Sequence, residues 1–170
     1  MNVPAVLGLF QRQFEAKLDV YFRKTRATFV HVSRFESDVF QILEGFVRRR
    51  GKRIRPFLVT LGYRSSGKPP SESAFGVGIA LELLHTFGLI HDDIIDQARE
   101  RRGEPALQYV YASKYRRRGN ALHLGSSFAL LIGDIAHGLA DEQFFNTVAK
   151  HKSRSALTEI YLKMKRELLF

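Results

Sequence analysis

The chain has 170 residues and a formal net charge of +10, from 27 basic and 17 acidic side chains. Its 45% hydrophobic and 12% aromatic content is a globular balance, which excludes a disordered chain and allows one domain with a real core. The absence of cysteine excludes disulfides, cysteine-type structural zinc and thiol nucleophiles. No apolar run reaches the 18 or more residues expected of a membrane span. The apolar stretch Val3 to Phe10 is short and lacks a preceding basic region, so a soluble cytoplasmic protein is expected.

Along the chain the dominant period is helical. Leu7, Phe10, Phe14, Leu18 and Tyr21 recur at helical spacing, as do Val39, Ile42, Leu43, Phe46 and Val47 before Gly51. The phenylalanine-rich face from Phe10 to Phe46 reads as core. Arg48 to Arg55 then carries six basic residues in eight. Within it, Lys52 and Arg55 stand just before and at the start of a third helix, 55 to 65, with Pro56 suited to the first helical position. Helix N-termini and cations both favour bound phosphate. Arg48, Arg49 and the Arg116-Arg117-Arg118 block read as surface. Ser65 to Ser71 is the clearest loop, and a long helix is expected from about Ser73, to be broken by Gly103 and Pro105. Short helices are expected at 106 to 117, 125 to 140, 142 to 150 and 154 to 169. No strand, internal repeat or linker is evident, so residues 1 to 170 read as one all-helical domain, a bundle.

Chemistry concentrates in His85 to Pro105, HTFGLIHDDIIDQARERRGEP. If residues 74 to 100 are one helix, His85, Leu89, Asp92 and Asp96 fall at i, i+4, i+7 and i+11, on one face. Asp92 and Asp96 can then share a cation. Magnesium suits them, because it prefers hard oxygen donors and is usually held by one or two carboxylates together with substrate phosphates. His85 stands about 10 Å along the axis from Asp92 and cannot ligate the same ion. His91 points about 100° away from Asp92 and reads as packing or a hydrogen bond. Asp134, inside the apolar run FALLIGDIAHG, reads as a buried acid with a partner. His123, His137 and His151 lack ligand spacing with one another. The carboxylates beside Arg101 and Arg102 suggest a metal-bridged phosphate site.

GKRIRP, LELLHTFGLIHDDIID and RRGEP, in that order, resemble the trans-isoprenyl diphosphate synthases, the polyprenyl synthetase family. DDIID resembles the family's first aspartate-rich motif and GKRIRP its diphosphate-binding segment, and GSSFALLIGD is similar to a family segment around a Gly-Asp pair. The likeness covers roughly residues 35 to 140 and implies the N-terminal part of the isoprenoid synthase fold. It implies that Lys52, Arg55, His85 and Arg102 hold the diphosphate of isopentenyl diphosphate, that Arg101 contacts the allylic diphosphate, and that Asp92 and Asp96 bind Mg2+ bridging to it. Asp92, Asp96 and Arg101 would thus carry catalysis, by assisting ionisation to an allylic cation that isopentenyl diphosphate then attacks. A homodimer is also implied.

The chain departs from the family pattern in two places. Arg50 stands where many members have a second glycine before the lysine, which predicts a stiffer loop. After Asp96 only Asp134 and Asp141 remain, so there is no second DDxxD, and the pattern reads as an N-terminal half with little or no activity alone. The apolar ending Leu168-Leu169-Phe170, without a stop signal, agrees with that expectation. An inactive relative that binds diphosphate or another subunit is one alternative. A basic helical nucleic-acid-binding module is another, although aromatics interleaved with arginines on an exposed face are not evident. By resemblance rather than spacing, Phe87, five residues before Asp92, would limit product length near geranylgeranyl diphosphate. Helical arithmetic puts it about 140° from Asp92, while Gly88 is about 40° away.

Overall fold

The computed structural model describes residues 3–29, 34–117 and 119–169. Arg118 and Phe170, both part of the sequence expectations, lie outside them. The first helix, α1 (Val3–Phe29), places Phe10, Phe14, Leu18 and Phe22 one turn apart, and all four are buried. They meet Phe40, Leu43, Phe46 and Val47 of α2 (Arg34–Val47), so the phenylalanine-rich face is core as expected. Burying each such side chain stabilises by about 1.5–3 kcal/mol. Arg26 of α1 and Arg48 just after α2 both pair with the buried Glu44, and Arg48 also with Asp19, which fixes the two helices in register.

Next come α3 (Ile54–Arg64) and the central helix α4 (Glu72–Ile95). The Ser71 side chain caps α4 by accepting from the Ala74 N–H at 3.2 Å. Because α4 is apolar nearly all round, it needs neighbours on every side, and α3, α5 (Leu107–Lys114) and α6 (Ala121–Val148) supply them. At Gly125 of α6 an added Cβ would fall on the α5 backbone at Gln108, so only glycine permits that crossing. The last helix, α7 (Arg154–Leu169), is held to α6 by Asp141. That carboxylate accepts from the Tyr161 hydroxyl at 2.7 Å and the Lys165 ammonium at 2.8 Å, while the Tyr161 ring stacks on Phe144.

Several boundaries differ from the sequence reading. The two short helices expected at 125 to 140 and 142 to 150 are one continuous α6. Pro56 occupies the third position of α3, still inside the first turn where no intrahelical N–H bond is required. The motif helix stops at Ile95, and a small antiparallel hairpin follows: β1 (Glu100–Arg101) and β2 (Glu104–Pro105). Its two turn residues, Arg102 and Gly103, both have positive φ (60° and 79°), the type I′ requirement that matches strand twist. By length and composition α4 and α6 are apolar enough to cross a membrane, against the expectation that no such run exists; in α4 61% of the apolar window is buried in the bundle.

Candidate functional site

The basic segment is sorted by a single backbone turn. Arg53 adopts a left-handed conformation (φ 52°, ψ 37°) immediately before α3. The turn sends its side chain into the protein, where it is 3% exposed, and leaves Lys52 and Arg55 exposed on either side. Inside, Arg53 Nε donates to Glu15 at 2.7 Å and Nη1 to Glu82 of α4 at 2.6 Å. Arg49, expected at the surface, is buried too: its guanidinium lies over the Phe46 ring and Nε reaches Glu104 of the hairpin at 3.2 Å. Arg102, at the hairpin tip, donates to the Arg49 carbonyl at 3.3 Å. A Cβ at Gly51 would meet the end of the Arg102 guanidinium at 2.6 Å, so a larger residue there would displace that side chain.

These elements enclose a cavity of about 370 Å³ lined by Lys52, Arg55, His85 and Arg102, with Arg50, Arg53 and Glu82 also on its wall. The four residues assigned by resemblance to one diphosphate therefore share one cavity. Its electrostatics suit an anion. Burial, together with the nearby Arg55 and Arg102, pushes the His85 pKa down to about 4, with Asp92 opposing. Its imidazole is therefore a neutral hydrogen-bonding group at pH 7. Burial also holds Arg102 below its ordinary value; Glu82 opposes this, and Arg53, Arg101 and Arg49 add to it. Cations crowded in this way are relieved by a bound polyanion.

The aspartate-rich turn is sorted the same way. Asp92 and Asp96 are both exposed on the last turn of α4, joined through the Asp96 N–H to the Asp92 carbonyl at 2.8 Å. The expected one-face alignment survives although the helix ends at Ile95, because Asp96 keeps helical angles as the C-cap. Asp93 turns inward and is 1% exposed, and its Oδ1 accepts from Arg101 Nε at 2.7 Å and Nη2 at 2.5 Å. Gln108 Nε2 bridges the Asp93 and Ala98 carbonyls, stapling the chain where it leaves α4. The hydrogen bonds to Asp93 raise the Arg101 pKa. Asp92 and Asp96 fit magnesium as a half-site: two carboxylates one turn apart at a helix C-terminus, where the dipole favours cations. Among the described residues no group of three or more ligating side chains comes together, and magnesium does not require one when substrate phosphates complete its shell.

A second cavity, of about 560 Å³, adjoins the first and shares Arg55 and His85 with it. Asp92 lies on its wall; the rest is mainly apolar, with Leu81, Leu84, Phe87 and Gly88 of α4 facing Met164 and Leu168 of α7. Phe87 therefore lines the same cavity as Asp92 despite the angle between them, because the cavity extends along α4 from Leu81 to Ile95. The Phe87 ring packs on His91 and His137, at 4.5 and 4.9 Å between centroids. His91 serves packing, as expected, and approaches Asp134 at 3.5 Å. Asp134 itself is exposed rather than buried, because it points off the outer face of α6 while its neighbours Ile132 and Gly133 point in.

Sequence reasoning passed over Arg53, Glu82 and Asp93. One available signal was Glu82, a lone acid in the apolar run LELLH, since a buried carboxylate requires a cationic partner.

The polyprenyl synthetase family model matches residues 36–168. The chain belongs to the polyprenyl synthetase family. It is 35% identical over 117 residues to a short chain isoprenyl diphosphate synthase of Methanothermobacter thermautotrophicus, an alignment covering 69% of this chain and 32% of that protein. It is 39% identical over 90 residues to a geranylgeranyl diphosphate synthase of Sulfolobus acidocaldarius, covering 53% of this chain and 23% of that one. Among solved structures, geranylgeranyl pyrophosphate synthase of Corynebacterium glutamicum, complexed with isoprenyl diphosphate and magnesium, superposes with a TM-score of 0.85 at 26% identity. The match covers 94% of this chain and 47% of that one. The chain thus has the all-α isoprenoid synthase fold over about half the length of that synthase.

Proposed function

We propose that this chain supplies the isopentenyl diphosphate pocket and the first metal half-site of a trans-prenyl diphosphate synthase. The observation that carries the reading is the junction of the two cavities: a cation-lined one and an apolar one meet at Arg55 and His85, with Asp92 on the apolar wall. Lys52, Arg55 and Arg102 would clamp the diphosphate of isopentenyl diphosphate, and neutral His85 would add a hydrogen bond. Magnesium held by Asp92 and Asp96 would neutralise the allylic diphosphate as its carbon–oxygen bond ionises. Arg101, fixed by Asp93, would place a second positive charge on that leaving group without having to reorganise. Clamping orients the isopentenyl double bond toward the cation. The apolar cavity keeps water from quenching it, and the departing pyrophosphate takes the proton. The C. glutamicum synthase, whose complex contains an isoprenyl diphosphate and magnesium, supports this reading.

Calorimetry with isopentenyl diphosphate tests it. Binding should weaken by at least about tenfold in Lys52→Ala and in Arg55→Ala; unchanged affinity in both would remove the pocket assignment. One observation favours a second reading, in which these 170 residues bind diphosphate with little turnover: no second DDxxD is present. Incorporation of labelled isopentenyl diphosphate should be slight with this chain and should rise when a relative's C-terminal half is added; robust turnover by the chain alone would refute that reading. In such a completed enzyme, Phe87→Ala should deepen the apolar cavity and lengthen the product beyond about the geranylgeranyl size. An unchanged chromatographic product distribution would assign the floor to other residues.

A further inference from the structure

Arg53 is buried and commits its donors to two carboxylates, with Nε on Glu15 and Nη1 on Glu82. Burial opposes its charge, and the two acids more than restore it. Its backbone sits in the left-handed region without being glycine, a conformation that persists only where the surroundings over-determine it. Glu82 lies on the pocket wall, where an acid would repel the anion that Lys52, Arg55 and Arg102 are placed to receive. By charge alone Glu82 is in the wrong place.

We infer that Arg53, through its buried pair with Glu82 and its second pair with Glu15, is a positioning residue that holds Lys52, Arg55 and Arg102 around the diphosphate without touching it. The inference rests on the reading of this cavity as a diphosphate pocket. Arg53 is the residue before α3, and its carbonyl accepts the Phe57 N–H at 3.0 Å. Locking its side chain to α1 and α4 therefore fixes where α3 begins and in which direction the flanking Lys52 and Arg55 project. Glu82 stands three residues before His85 on α4, so the same pair sets the basic loop against the wall that carries the imidazole. Glu82 is also the counter-charge that steadies Arg102 from across the cavity.

The distinguishing measurement is the sign of the effect in Glu82→Gln, read by titrating the 170-residue chain with inorganic pyrophosphate in a calorimeter. Electrostatics alone predicts tighter binding when an acid leaves an anion pocket. Positioning predicts binding weaker by about tenfold, at unchanged helicity, and no further loss in the Arg53→Gln, Glu82→Gln double variant beyond Arg53→Gln alone. Equal or tighter binding in Glu82→Gln would overturn the inference. Should that variant fail to fold, Glu15→Gln at the exposed end of the network takes its place, with an expected weakening of about threefold and the same overturning result. Wild-type protein that ignores pyrophosphate would sink the pocket assignment itself, and this inference with it. Wild-type binding with an indifferent Glu82→Gln would sink only the inference.

Discussion

The basic segment and the aspartate-rich turn are mirror images in charge and alike in construction. In the first, Arg53 is buried against two carboxylates while Lys52 and Arg55 stay exposed. In the second, Asp93 is buried against Arg101 while Asp92 and Asp96 stay exposed. Each motif turns a charge inward as an anchor, Arg53 or Asp93, and leaves the charges flanking it available to a ligand. A buried unpaired charge is costly, whereas a solvated one is not, so the two kinds of position should respond to substitution in opposite ways.

The largest effect should come from breaking the exposed acidic pair. Asp92→Ala combined with Asp96→Ala should abolish magnesium-dependent binding of an allylic diphosphate analogue while leaving the circular dichroism spectrum intact. Unchanged calorimetric binding would refute the metal role.

On the basic side the order reverses for stability. Arg53→Met leaves Glu82 buried without its partner and should destabilise the fold by about 3–5 kcal/mol. Lys52→Met should change stability by less than about 0.5 kcal/mol. Urea unfolding of the two variants checks this, and equal midpoints would erase the proposed division between anchor and ligand group.

Asp93→Asn keeps an acceptor for Arg101 but removes the charge. A loss of about 1–3 kcal/mol is expected, smaller than at Arg53 because Arg101 is partly exposed. A thermal melt matching that of the exposed Asp96→Asn would show that Asp93 is not an anchor.

The last effect, confined to acid pH, concerns His85. Its folded pKa of about 4 lies below the ordinary 6.5, so the unfolded chain takes up the proton first. The neutral ring's contribution is then complete above pH 6.5 and is lost as pH falls toward 4. The wild type should lose melting temperature relative to His85→Gln across that window; a constant difference would remove the desolvated imidazole from the account.

The helices were legible because their apolar residues repeat at 3.6, and the core face from Phe10 to Phe46 followed directly. The candidate residues came from motif spacing for Asp92 and Asp96 and from the family resemblance for the rest; Lys52, Arg55, His85, Arg102 and Asp92 line the two cavities, and Asp96 and Arg101 belong to the aspartate turn. The end of α4 was not. Gln97 in the left-handed region (φ 52°) and the Arg102-Gly103 turn redirect the chain into a hairpin. Neither carries a strand-like alternation, since each strand is only two residues long. Asp134 was misjudged because an apolar neighbourhood in sequence is not burial on a helix whose outer face is exposed.

By itself the sequence determined a helical bundle, the family, and which short segments carry the charges. The tertiary structure alone decided which charge in each segment faces inward. Arg53 and Lys52 are adjacent cations, and nothing local separates them; Arg53 is chosen because folding brings Glu15, 38 residues away, and Glu82, 29 away, to its guanidinium. Asp93 is chosen over Asp92 because the hairpin returns Arg101 to it. A charge can leave water only where an opposite charge already waits, and that place is set by packing between segments distant in the chain.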